Sequence, residues 1–85
     1  MYIERNVKLK HIITPGKNQY GKPISIYIFE DLETMKEYIW DTKTSKYDFK
    51  ENKKYRIRCD ICFNVDGEPT KYIQKVKVIE NLLNY

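Results

Sequence analysis

Residues Tyr55 to Phe63 read YRIRCDICF, a segment without Gly or Pro in which Tyr55, Ile57, Cys59, Ile61 and Phe63 alternate with Arg56, Arg58, Asp60 and Cys62. A period of two sends one set to each face of an extended chain, the pattern of a half-buried strand. Asn64-Val65-Asp66-Gly67-Glu68-Pro69 follows, and Asp-Gly between alternating segments is a strong hairpin signal. Thr70 to Glu80, TKYIQKVKVIE, is therefore expected to pair back on the preceding strand. A two-stranded hairpin is not stable alone in water, so the remaining segments must cover it.

Those segments also read as strands. From 2 to 14, Val7, Leu9, His11 and Ile13 fall on one side, and Lys8, Lys10 and Ile12 on the other. Pro15 to Pro23 holds two Gly, two Pro and an Asn and is expected to be a loop. In Ile24 to Glu30, ISIYIFE, the row Ile24, Ile26, Ile28 is expected to face inward, which leaves Tyr27 and Phe29 outward. Asp31-Leu32-Glu33 is a short polar turn. Thr34 to Thr42 fits a helix through Leu32, Met35, Tyr38 and Ile39, and equally a strand with Lys36, Tyr38, Trp40 and Thr42 on one face. The three-residue turn after Glu30 favours the strand, as the second arm of a hairpin. Lys43 to Lys54 is a polar connection with room for a short helical turn in 43–52, bending at Glu51-Asn52-Lys53. Asn81 to Tyr85 ends the chain in a helical turn or a frayed end.

Five strands in 85 residues make one domain, 1–85, of the all-β class. Closing a five-stranded antiparallel sheet into a small barrel removes its exposed edges. At 41% hydrophobic residues the chain has the apolar mass for a core. No apolar run approaches the about 18 residues of a membrane span or the about 7–15 of a leader core, so a cytoplasmic, reduced setting is expected. The formal charge of +4, with Lys supplying 13 of 16 basic residues, favours an anionic partner mildly.

The layout resembles the OB-fold, and the local likeness runs from Tyr38 to Glu80: the aromatic segment Tyr-Ile-Trp-Asp-Thr-Lys-Thr from Tyr38, then Asp48-Phe49-Lys50-Glu51-Asn52-Lys53-Lys54-Tyr55 entering the fourth strand, and Lys77-Val78-Ile79-Glu80 closing the fifth. It is similar to the third-to-fifth strands of small OB-fold single-stranded nucleic-acid-binding proteins of phages and plasmids. Asn52 stands where a Gly is common, and the connection before the fourth strand is shorter than the helix many OB-folds carry. A meander or an SH3-like barrel fits the same element order. The resemblance implies an OB-like barrel with a binding face on strands two and three, in a phage or mobile-element setting within the host cytoplasm.

The expected chemistry is binding, without a catalytic site, cofactor or metal. Single-stranded bases stack on aromatic rings, and cations follow the phosphates. Tyr27, Phe29, Tyr38 and Trp40 are the candidate stacking residues. Lys36, Arg56 and Arg58 are the candidate phosphate contacts, with Tyr20 and Lys22 in a loop that closes over the strand; DNA is preferred to RNA. The competing reading fills the core with Phe29 and Trp40. Arg56 and Arg58, two apart, share a face and equally suit ion pairs with Glu68, Glu80 or Asp60. A protein-binding module, such as a small inhibitor of a host enzyme, is the alternative function, since Tyr-rich surfaces and sheet edges also serve protein partners. The chain is expected to be a monomer or a homodimer. Cys59 and Cys62 form a CxxC without the second ligand pair a structural zinc needs, and three positions on a strand separate them onto opposite faces. Cys59 is expected in the core and Cys62 at the surface. His11 is expected as a core or boundary residue in its apolar row, and the carboxylates Glu30, Asp31, Asp48 and Glu51 as turn residues.

Overall fold

The computed structural model describes residues 2–17, 20–21, 23–43 and 47–82, with side chains omitted at 14–17 and 23. Five strands form a closed barrel in the order β1-β2-β3-β5-β4: β1 Tyr2–Lys17, β2 Pro23–Asp31, β3 Glu37–Thr42, β4 Lys54–Phe63 and β5 Pro69–Leu82. The fold is all-β, and the described residues contain no helix. The long β1 closes the barrel by using both of its edges, its first half against β4 and its second against β2. The β2–β3 and β4–β5 hairpins form as expected.

The all-antiparallel expectation is corrected at one seam. β3 and β5 run parallel, joined at Ile39 and Tyr72. β3 enters at the same barrel end as β5 because an even number of antiparallel steps separates them through β2, β1 and β4. The choice at 34–42 resolves to a strand that starts at Glu37, after a wider turn than expected. β1 extends to Lys17 through a register shift between Ile13 and Gly16, so part of the expected 15–23 loop is strand. Residues 47–52 form no helical turn, β5 runs on to Leu82, and the remainder of both expected helical segments (44–46 and 83–85) lies outside the described residues.

The faces of β2 are the reverse of those expected. Tyr27 and Phe29 point into the barrel and are buried, while Ile24, Ile26 and Ile28 are half-buried on its outside. Tyr27 lies opposite Trp40 and Phe29 opposite Tyr38, so four large side chains from one hairpin enter the interior together. Interiors are filled to near-crystalline density, and few strands here must fill a whole barrel; rings supply that volume better than isoleucines. Leu9, Val7, Ile57, Cys59, Ile73 and Val76 complete the core.

Phe49 stoppers one end. Its ring centroid lies 5.0 Å from Tyr27, 5.6 Å from Phe29, 6.1 Å from Trp40, 5.4 Å from Tyr47 and 5.2 Å from Tyr55. The Phe29, Trp40 and Tyr55 contacts are edge-to-face, the orientation that aligns ring quadrupoles favourably. Three hydrogen bonds tie the connection to β1. The Asn52 N–H donates to the Leu9 carbonyl at 2.7 Å, the Leu9 N–H to the Lys53 carbonyl at 2.9 Å, and the Ile12 N–H to Glu51 Oε2 at 2.9 Å. Asn52 sits at φ 67°, a left-handed conformation that Asn tolerates better than most residues.

At the other end stands a buried carboxylate. Asp31 Oδ1 accepts from the Glu33 and Thr34 N–H groups at 2.8 and 3.1 Å, and Oδ2 accepts from the Tyr38 hydroxyl at 2.9 Å, with Arg5 Nε 3.7 Å away. Burial alone raises the Asp31 pKa. The two backbone donors, Tyr38 and Arg5 outweigh it and hold the carboxyl below its usual value. Burial and the same hydrogen bond push Tyr38 up to about 12. A turn carboxylate was expected here; its complete burial was not.

Candidate nucleic-acid interface

The structure moves the expected aromatic face indoors. Tyr27, Phe29, Tyr38 and Trp40 retain 7, 0, 7 and 9% of their surface. A base stacks on a ring only where the ring face meets solvent, so the expectation that these four form an outer binding row is corrected. The outside of β2 and β3 is instead aliphatic and acidic. His11, Ile28, Ile39 and Tyr72 line up across β1, β2, β3 and β5, beside Ile26 and Asp41.

The basic candidates are dispersed. Lys36 is exposed in the β2–β3 turn, and Tyr20 is 77% exposed in the β1–β2 connection, at the opposite barrel end. Lys22 lies outside the described residues. Only Arg56 and Arg58 come together, on the outer face of β4 as their spacing requires. Arg56 is half-committed: its Nη1 donates to Asn6 Oδ1 at 3.0 Å, and Nη2 stands 3.5 Å from Glu4. These partners lie on β1, in place of the expected Glu68, Glu80 or Asp60. Arg58 is exposed and lies over the Tyr2 ring, its guanidinium carbon 4.8 Å from the centroid. Lys75 Nζ stands 6.0 Å from the same ring, and Lys77 is the direct neighbour of Arg58 on β5.

Tyr2, Arg58, Lys75 and Lys77 therefore form a cation–aromatic cluster on the outer face of β1, β4 and β5. Tyr2 is 49% exposed. Arg58, Lys75 and Lys77 enter none of the ion pairs between described residues. A bulge in β5 assembles it. Between the Arg58–Lys77 and Asp60–Gln74 pairs, β5 carries one extra residue, and Lys75 takes φ 54°. Gln74 and Lys75 consequently both point outward, while Val76 returns to the core. Tyr2 and Lys75 escape a reading by periodicity, because nothing in 74–76 marks the bulge and nothing local pairs β1 with β4.

A second bulge relocates His11. Leu9 faces Phe29 but His11 faces Ile28, so β1 gains a residue and its phase flips. Ile12 turns toward the core, and His11 is exposed on the outer face; its expected core or boundary place is corrected. Cys59 is fully buried as expected, and burial pushes its thiol up to about 11; Cys62 is half-buried. No group of three or more His, Cys, Asp or Glu among the described residues is arranged to hold a metal ion. Comparison with protein-family models, with curated proteins and with solved structures gives no match.

Proposed function

We propose that this barrel is a non-enzymatic binder of single-stranded nucleic acid, DNA ahead of RNA, through the outer face of β1, β4 and β5. The observation that carries the reading is the half-exposed Tyr2 ring set among Arg58, Lys75 and Lys77, three cations that enter none of the ion pairs between described residues and outnumber the neighbouring Glu4 and Asp60. An aromatic surface beside mobile cations is what a single strand needs: a face for one base and charges for the phosphates on either side. The order β1-β2-β3-β5-β4, with one parallel pairing and a long first strand serving both halves, supports an OB-like reading of the barrel. Arg56 extends the same face toward Asn6.

Anisotropy of a labelled oligonucleotide of about 20 nucleotides, at low and moderate salt, tests this. Binding should weaken steeply with salt, by about 0.7 in log–log slope for each phosphate contact on a single strand. Replacing both Arg58 and Lys77 by Ala should flatten that slope by about 1.4. Tyr2→Ala should weaken binding by about 1–3 kcal/mol without changing the fold. Absence of binding at low salt overturns the proposal. Trp40 emission reports folding here, because the indole is in the core.

One observation favours a second reading, a protein-binding module. Ile28 and Ile39, with Ile13 49% exposed nearby, form an aliphatic surface that offers a nucleic acid neither a ring nor a cation. A protein partner would bind with weak salt dependence, and Ile39→Asp would abolish that binding while leaving oligonucleotide binding intact.

A further inference from the structure

The outer face of β1, β4 and β5 carries two pairs of like charges set directly opposite one another. Lys8 of β1 faces Lys54 of β4, and Arg58 of β4 faces Lys77 of β5. Opposed like charges destabilise a sheet, and an anion seated between them removes that penalty. Lys54, Arg56 and Arg58 alternate with the buried Tyr55 and Ile57, so the three cations form one outward row along β4. At about 3.4 Å per residue, successive members of the row stand about 7 Å apart and the two opposed pairs about 14 Å apart. A step of that size matches the reach of one extended nucleotide.

The carboxylates of the face flank that row. Glu80 of β5 lies opposite Arg56, and Glu4 of β1 lies opposite Arg58, with its Oε2 3.5 Å from Arg56 Nη2. A polyanion that crosses the strands at Arg56 or Arg58 meets one of these acids, whereas one that follows β4 meets a cation at each step. Asp60 lies beyond Arg58, 3.4 Å from Gln74 Nε2, and Glu30, beyond Lys8 on β2, is engaged by Lys10 at 3.7 Å. Among the described residues, Lys8, Lys54, Arg56, Arg58, Lys75 and Lys77 outnumber Glu4, Asp60 and Glu80 on this face, and still do when Glu30 is counted. Tyr2 closes the row at one end only: it pairs with Asp60, and its ring centroid lies 4.8 Å from the Arg58 guanidinium carbon.

Resting on the nucleic-acid reading of this face, we propose that the single strand runs along β4 rather than across the sheet, with successive phosphates over Lys54, Arg56 and Arg58 and one base on Tyr2 at the Arg58 end. The footprint is about four nucleotides, the lower end of the about 4–16 that OB folds cover. Because the ring stands at one end of the row, the two ends of a bound oligonucleotide are not equivalent.

Anisotropy of labelled oligothymidylates of about two, four, eight and 20 nucleotides tests it, the lengths bracketing that footprint. Affinity should rise about tenfold or more from two nucleotides to four, and beyond four only in proportion to the number of overlapping sites. In the four-nucleotide probe an abasic residue at one end should weaken binding about fivefold or more, the loss of one stack, and at the other end should have little effect. Tyr2→Ala should erase that difference. Lys54→Gln should lower the salt slope of the longest probe by about 0.7, and Lys36→Gln, off the face, should leave it unchanged. Trp40 emission shows that both variants fold. Affinity that climbs beyond the number of sites up to the longest probe, equal losses from abasic residues at both ends, or an unchanged slope for Lys54→Gln overturns the path along β4 and leaves nucleic-acid binding by the face intact. Absence of binding by the longest probe at low salt overturns the nucleic-acid reading and this path with it.

Discussion

Phe49→Ala should be the most damaging single truncation outside the strands. The side chain is 8% exposed and touches five rings: three from the β2–β3 hairpin, Tyr27 at 5.0, Phe29 at 5.6 and Trp40 at 6.1 Å, with Tyr55 at 5.2 Å and Tyr47 at 5.4 Å. Removing a buried Phe ring costs about 3–5 kcal/mol, because the cavity it leaves is only partly closed by relaxation. Here the cost should reach the upper half, since the neighbouring rings belong to paired strands and cannot collapse inward independently. For 85 residues the total stability is about 4–13 kcal/mol, so the loss takes a large share of it. At about 4–8 °C per kcal/mol, the melting temperature should fall by at least about 16 °C. Phe49→Leu, which retains much of the volume, should lose about 1–2 kcal/mol and keeps the comparison measurable if the Ala variant is largely unfolded. Thermal melts followed by Trp40 emission read both, because the indole shares the cavity. A fall of less than about 5 °C for Phe49→Ala refutes the account of Phe49 as the stopper of this end.

Asp31 should make stability pH-dependent in a defined direction: its folded pKa is depressed, so its contribution is present above the unfolded value of about 3.9 and is lost as pH falls through the folded one. Asp31→Asn should therefore be less stable by about 1–3 kcal/mol at neutral pH, and urea midpoints should converge with the wild type in acid; a constant gap contradicts the charge argument. In native protein a disulfide reagent should label Cys62 and spare Cys59, whose thiol is buried and held near 11, with the second equivalent released only on unfolding; two fast equivalents would contradict this. Asn52→Ala should lose about 1 kcal/mol or more by placing a Cβ residue without Asn's tolerance at φ 67°, while Asn52→Gly should be neutral or stabilising, both read from denaturant midpoints.

The strands were legible where period two ran unbroken. Tyr55–Phe63 and the Asp66-Gly67 turn declare the β4–β5 hairpin, and the alternation of Ile24–Phe29 declares β2. What alternation leaves undetermined is which of its two rows is inside. The isoleucine row and the Tyr27, Phe29 row are both bulky and apolar, so hydrophobicity does not rank them; the decision comes from the volume the closed barrel must fill, which depends on strands not adjacent in sequence. Lys43–Lys54 looked like a solvated linker because most of its residues are charged or polar. Phe49, the buried residue among those described there, carries no periodic signal, and only the meeting of Tyr27, Phe29, Trp40 and Tyr55 makes a place for it.

The candidate site follows from the same inversion. Once the rings of β2 and β3 are needed inside, the outer surface of that hairpin is left to Ile28, Ile39, Glu30 and Glu37, and Lys10 is shared between the two acids, which keep a net negative charge there. Arg58, Lys75 and Lys77 gather instead on the far face, where they adjoin the exposed ring of Tyr2. That location is not visible as a run or motif, because Tyr2 and Arg58 are far apart along the chain and meet only through the β1–β4 register, and Lys75 turns outward only through a bulge with no Gly to announce it. Deleting Lys75 should remove the register shift between the Arg58–Lys77 and Asp60–Gln74 pairs, take one cation from the Tyr2 ring, and weaken oligonucleotide binding by about the share of one phosphate contact in the salt slope, about 0.7. An unchanged slope in a folded deletion variant would remove Lys75 from the interface and leave the bulge a purely architectural feature of barrel closure.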